Sequence, residues 1–111
     1  MKTLTSLSVA ALLMASGSAF ASGDVTRGQE LSASCAACHG ADGNSTIPAN
    51  PKLAGQYDSY LVHALKSYRD GLRNNALMNG FAANLSDQDI ADLAAYFASQ
   101  TPSVGVVPRG D

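Results

Sequence analysis

The sequence predicts an all-α domain in which three main helices are joined by two long loops. Three observations predict it. Apolar residues recur every three or four positions in three separate segments, the rhythm of helices with one buried face. No stretch alternates apolar and polar residues with the period of two that a half-buried strand requires. The segments are separated by runs rich in Gly, Pro and Asn, which interrupt regular structure. The chain has 111 residues, ten of them Gly and four Pro, and shows no internal repeat. That length is right for one domain.

The first 21 residues read as a leader outside that domain. Lys2 gives a positive start, "LTSLSVAALLMA" (Leu4 to Ala15) a short apolar stretch, and Ala19-Phe20-Ala21 a small-x-small cleavage site. This is the layout of a secretory signal peptide. The apolar run is broken by Ser and Gly too soon for a membrane span, which needs about 20 mostly apolar residues. No cysteine follows the cleavage site to take a lipid. The expected product is residues 22–111, exported to a periplasm and without a membrane span. The whole chain carries a net charge of −2, and loss of Lys2 makes it one unit more acidic. Nothing forms a basic patch, so nucleic-acid binding is excluded.

The first helix opens at Asp24, a good N-cap, in "GDVTRGQELSAS", with Val25, Gly28 and Leu31 at threefold spacing. A glycine inside a helix costs stability unless something packs closely against it. From Gly40 to Gln56 the chain reads as loop, and a loop this long in so small a domain usually carries function. "YDSYLVHALKSYRDG" is the second helix. Its apolar face holds Tyr60, Leu61, Ala64, Leu65 and Tyr68; Gln56 or Asp58 caps it and Gly71 stops it. "LRNNALMNGFAAN" reads as irregular. "LSDQDIADLAAYFASQ" is the clearest helix, with Ser86 and Asp89 as a capping box, a stripe of Ile90, Leu93, Ala94 and Phe97, and Pro102 as terminator. Residues 101–111 read as a loose tail. About 90 residues with so little apolar bulk fold firmly only around a staple, a metal or a cofactor.

That need directs attention to "CAACH", which contains the only two cysteines, Cys35 and Cys38, followed by His39. A disulfide across three positions closes a tiny loop and constrains the unfolded chain little. A redox dithiol needs βαβ patterning nearby, and none is present. Zinc would need adjacent Cys38 and His39 to point at one ion, with His63 as a fourth ligand. Covalent haem attachment uses all three residues. Each thiol adds to one vinyl group, the three-residue step matches the vinyl separation, and His39 lies under the iron. One haem c per chain is therefore expected, with iron cycling between Fe(II) and Fe(III).

A sixth ligand is then required. Met1 and Met14 leave with the leader, so Met78 is the only methionine of the exported chain. His63 lies roughly 140° from the apolar face of its helix and should meet solvent. Met78, flanked by Asn and Gly, is the expected distal axial ligand, opposite His39.

On "GDVTRGQELSASCAACHG", "PKLAGQ" and "LMNGFAANLSDQDIADLAAYF", in that order, the sequence resembles the class I c-type cytochromes. The likeness is to small single-haem bacterial members and to one half of their two-haem relatives, and covers nearly all of Gly23 to Gln100. The resemblance implies the cytochrome c fold, wrapped around one covalently bound haem. It implies that Gly28 and Tyr96 meet where the first and last helices cross. It also implies that Pro51 offers its carbonyl to the His39 imidazole while Leu53 packs on the ring. Tyr68, Asn75 and Asn79 remain alternatives for a donor to the Met78 sulfur. Arg69, Arg73 and Lys52 remain alternatives for the haem propionates.

A His/Met pair leaves no coordination position for substrate, so an enzyme is disfavoured. The expected function is one-electron transfer between respiratory redox partners that bind briefly. The donor would be a quinol-oxidising complex or dehydrogenase, and the acceptor a terminal oxidase or reductase. The alternative is a haem sensor or peroxidase-like enzyme in which Met78 dissociates.

Overall fold

The computed structural model describes residues 22–103, and among these every regular element is helical. In chain order they are α1 (Val25–Leu31), a 3-10 turn (Ser32–Ser34), α2 (Ala36–His39), α3 (Asp58–Arg69), α4 (Ala76–Ala82) and α5 (Asp87–Ser99). The expected leader at 1–21 and the tail from 104 onward lie outside the described residues.

The first and last helices start for local chemical reasons. Asp24 is extended and its carboxylate accepts the N–H groups of Thr26 and Arg27. These would otherwise be orphan donors of the first turn. At α5 both halves of the capping box form: Ser86 Oγ accepts the Asp89 N–H, and Asp89 accepts the Ser86 N–H. The expected cap of α3 does not form. Tyr57 holds the N-cap position without a side-chain bond. Gln56 turns back to its neighbour Tyr57 N–H, and Asp58 already lies inside the helix, accepting from Ser59 N–H. Asp58 still places negative charge in the first turn, where the helix dipole favours it. Gly71 follows α3 at φ +74°, a left-handed conformation suited to glycine just past a helix end.

One expected loop is a helix. "ALMNGFA" forms α4, with Met78 as its third residue. Asn75 explains this: its side chain accepts the N–H groups of Leu77 and Met78. Asn79 Oδ1 accepts the Asn75 N–H in return. The two asparagines that looked like loop composition are the cap of a two-turn helix.

α5 is the centre of the fold and packs against both α1 and α3. Its expected stripe, Ile90, Leu93, Ala94 and Phe97, is buried, and Leu61 and Tyr96 join it. Burying a side chain the size of Ile90, Leu93 or Phe97 contributes roughly 1.5–3 kcal/mol. At the crossing with α1, a Cβ on Gly28 would lie 2.0 Å from the Asp92 carbonyl oxygen and 2.8 Å from Tyr96 Cβ. Only glycine permits this approach. Asp92 is fully buried there. Its carboxylate accepts the Asp24 N–H, the Arg27 guanidinium and the Gln88 amide. Burial alone would raise this carboxyl's pKa; the three hydrogen bonds outweigh it and hold it below the ordinary carboxylate range.

The loop from Gly40 to Tyr57 carries no regular element, yet it is tied to the core. Tyr96 Oη donates to the Ala41 carbonyl at 2.8 Å, and Gly55 N–H donates to the Phe97 carbonyl at 3.0 Å. Residues 101–103, the start of the expected loose tail, are tied as well. Asn44 Nδ2 donates to Thr101 O, and Ser103 N–H donates back to Asn44 Oδ1.

Candidate haem site

The short α2 presents the cysteine motif. Cys35 closes the 3-10 turn, and its carbonyl accepts the His39 N–H at 2.9 Å, so one tight helical turn carries Cys35, Cys38 and His39. The turn is braced from the loop: the Cys38 carbonyl accepts Asn50 Nδ2 at 3.0 Å and Ser45 Oγ at 3.4 Å. Gly40, at φ +83°, then turns the chain away. Cys35 and Cys38 are half-buried and joined by no disulfide. Burial pushes the Cys35 thiol pKa above its usual value, as an apolar wall does.

The His39 side chain is buried, and its Nδ1 lies 2.9 Å from the Pro51 carbonyl oxygen. A carbonyl only accepts, so the hydrogen in this contact is on Nδ1, and in the neutral imidazole Nε2 is the nitrogen left to meet a metal. The expected Pro51 contact is therefore present in this geometry.

Beside the imidazole lies a cavity of about 280 Å³. Its lining includes the six residues expected to bind the cofactor: Cys35, Cys38, His39, Pro51, Leu53 and Met78. The apolar face of α3 supplies Tyr60, Leu61, Ala64, Leu65 and Tyr68, and α5 supplies Leu93, Ala94 and Phe97. The α3 face expected to seek a protein core thus also walls the cavity. Leu77 and Phe81 of α4 complete the lining while remaining 71% and 52% exposed. They were not singled out from the sequence. The signal was available: Phe81 follows Met78 by three positions, one helical turn.

His63 is exposed on α3 and does not line the cavity. Arg69 lies outside it too. Its guanidinium bonds Asp70, Asp87 and the Leu85 carbonyl, and its pKa is raised chiefly by the Asp87 hydrogen bond. Asn79 gives both side-chain N–H groups to backbone, Tyr68 O and Arg73 O, which removes it as a donor to Met78. Asn75 and Tyr68 line the cavity and stay available.

The residues present fit a haem. An imidazole with a free Nε2, a thioether and two thiols share one lining that is otherwise mainly aliphatic and aromatic. That donor set suits a flat apolar macrocycle with an iron at its centre.

Comparison with known proteins agrees. A family model for cytochrome c matches residues 25–101. Cytochrome c4 of Pseudomonas aeruginosa is 56% identical over 90 residues, covering 81% of this chain and 45% of that protein. Cytochrome c-554(548) of Halomonas halodenitrificans is 49% identical over 81 residues, covering 70% of this chain and 98% of that protein. The crystal structure of reduced recombinant cytochrome c4 from Pseudomonas stutzeri superposes with a TM-score of 0.72 at 46% identity, over 76% of this chain and 49% of that one. The chain spans about half the length of the cytochrome c4 relatives it matches. With the helical fold, the haem-attachment turn and these matches agreeing, the chain belongs to the cytochrome c family, whose cofactor is covalently bound haem c.

Proposed function

We propose that this chain is an exported electron carrier that moves one electron at a time between redox proteins. The observation that carries the reading is the gathering of Cys35, Cys38, His39 and Met78 on one apolar cavity. Haem c bound there supplies an iron that alternates between the ferrous and ferric states. The chain's residues do the rest. Cys35 and Cys38 would hold the macrocycle, each thiol adding across one vinyl group to form a thioether. His39 would offer Nε2 to the iron, its other ring nitrogen being held by the Pro51 carbonyl. Met78 Sδ, on the same lining, would supply the second protein ligand to the iron, and a thioether favours the ferrous state. Leu53, Leu61 and Phe97 keep the surroundings apolar and disfavour the added charge of ferric iron. With His39 and Met78 both as its ligands, the iron would have no position left for a substrate.

Residues 1–21 act in this reading as a cleaved leader that delivers the chain to the periplasm, where the carrier works. No described helix is long and apolar enough to cross a membrane. Partners dock briefly over the cavity mouth, where Tyr60, Leu77 and Phe81 are exposed. Two relatives support dehydrogenases as donors. A Thiomonas intermedia protein 46% identical over 72 residues is a "thiosulfate dehydrogenase electron acceptor". A Chlorobaculum tepidum protein 35% identical over 104 residues is the "cytochrome subunit of sulfide dehydrogenase".

A pyridine haemochrome spectrum with the intact mass of the exported protein tests the reading. One haem, two thioethers and a chain beginning at residue 22 are expected. Colourless protein with free thiols overturns it. Met78→Ala should open the sixth position, admit carbon monoxide to the ferrous protein and lower the reduction potential. An unchanged spectrum would show that another group is the ligand. A wild-type protein that already binds carbon monoxide would favour the sensor or peroxidase-like alternative.

A further inference from the structure

Among the described cations, Arg73 stands apart by what it does not touch. Arg27 pairs with Asp89 and Asp92, Arg69 with Asp70 and Asp87, and Lys66 with Asp87. Lys52 Nζ donates to the Ser103 carbonyl and hydroxyl. The Arg73 guanidinium meets only the face of Tyr68, 4.8 Å from the ring centroid, with no carboxylate or carbonyl partner among the described residues. Five N–H donors on a planar fork are thus without an acceptor.

The position of this fork is built rather than incidental. Arg73 N–H donates to the Ser67 carbonyl at 3.0 Å, as does Leu72 N–H at 2.9 Å. The Arg73 carbonyl accepts Asn79 Nδ2 at 2.9 Å, and the other N–H of that amide reaches Tyr68 O at 2.7 Å. The turn after α3 and the start of α4 are therefore tied together at Arg73. Arg73 and Tyr68 both line the cavity. The cavity also has an unusual charge: the chain is net −2, yet no Asp or Glu lines it, while Lys52 and Arg73 do. A wall of this kind suits an occupant that brings its own carboxylates, and haem brings two propionates.

We propose that Arg73 binds a haem propionate, its guanidinium donating two parallel N–H bonds to the carboxylate, with the Tyr68 ring setting the plane of the fork. The inference rests on the haem reading of the cavity. Planar, bidentate pairing with a carboxylate is what guanidinium does better than ammonium. Lys52, already turned to Ser103, and Arg69, already paired with two carboxylates, are the weaker candidates. A fixed cation at the macrocycle edge also disfavours the added positive charge of ferric iron and so helps hold the potential up.

The test uses the intact haem protein. In the ferrous state, nuclear Overhauser contacts are expected between the Arg73 side-chain protons and the propionate methylene protons. Arg73→Gln should lower the reduction potential, and Arg73→Lys should recover part of the shift. Lys66→Gln, which removes a cation outside the cavity, should leave the potential where it is. An Arg73→Gln protein with altered melting but an unmoved potential, or the absence of those contacts, overturns the proposal. A wild-type protein with no haemochrome spectrum overturns the haem reading instead, which keeps the two failures apart.

Discussion

The crossing of α1 and α5 and the face formed by α3 and α4 are built on opposite terms. At the crossing, backbone meets backbone across Gly28, and among the described residues no buried side-chain polar atom lacks a partner, with Asp92 fully enclosed among three donors. Across the molecule, α4 buries only Ala82, and Leu77 and Phe81 show most of their surface. The first region is complete as protein. The second presents apolar side chains to a cavity and is complete only when something apolar fills it. In a domain of this size the cofactor is a share of the core, not an addition to it.

The comparison can be broken most directly by withholding the haem. Cys35→Ala with Cys38→Ala removes covalent attachment. The loss should be most of a small domain's stability, on the order of 5 kcal/mol. Hydrogen exchange should show α3 and α4 unprotected and any residual protection confined to α1 and α5. Equal protection in both regions would erase the distinction.

The remaining expectations sharpen it. Gly28→Ala places a methyl group on the Asp92 carbonyl and should cost about 3 kcal/mol, read by denaturant unfolding, with the haem spectrum retained. Asp92→Asn should cost about 2 kcal/mol at neutral pH, since Arg27 and the Asp24 N–H lose a charged acceptor. The half-exposed Arg27 side keeps that figure at the lower end. The pH sign follows from the depressed Asp92 carboxyl. Its contribution is present above the unfolded value of about 4 and is lost as pH falls through the lower folded value. Unfolding followed from neutral to acid pH should therefore be less steep in Asp92→Asn than in the wild type. The smallest effect is expected at His63. His63→Ala should leave the spectrum unchanged and move stability by less than about 0.5 kcal/mol, as at an exposed site. A shifted Soret band there would give α3 a role at the iron.

What could be read from the sequence divides along the same line. The α5 stripe, its capping box and the Asp24 cap were legible because each is a local pattern within one or two turns. The haem-attachment turn was legible for the same reason. α4 was not. Asn75 and Asn79 have the composition of a loop, and only their reciprocal bonds turn them into a cap. Gly23 also escaped notice: a Cβ there would lie 2.0 Å from the Ala91 carbonyl, a second close approach of the same two segments. Nothing within a few residues of Gly23 announces that contact.

The sequence by itself determined the helical class, the Asp24 cap, the Ser86/Asp89 capping box and the Gly71 stop, and it named the groups expected to hold a haem. Only the tertiary structure decided which of them share a cavity, that Asn79 and Arg69 are engaged elsewhere, and that Arg73 is left with its donors facing no partner. The reason is range. Caps and periodicity act across a few residues of one segment, whereas a cavity wall is assembled from α2, a loop, α3, α4 and α5, whose approach depends on the packing of the whole chain.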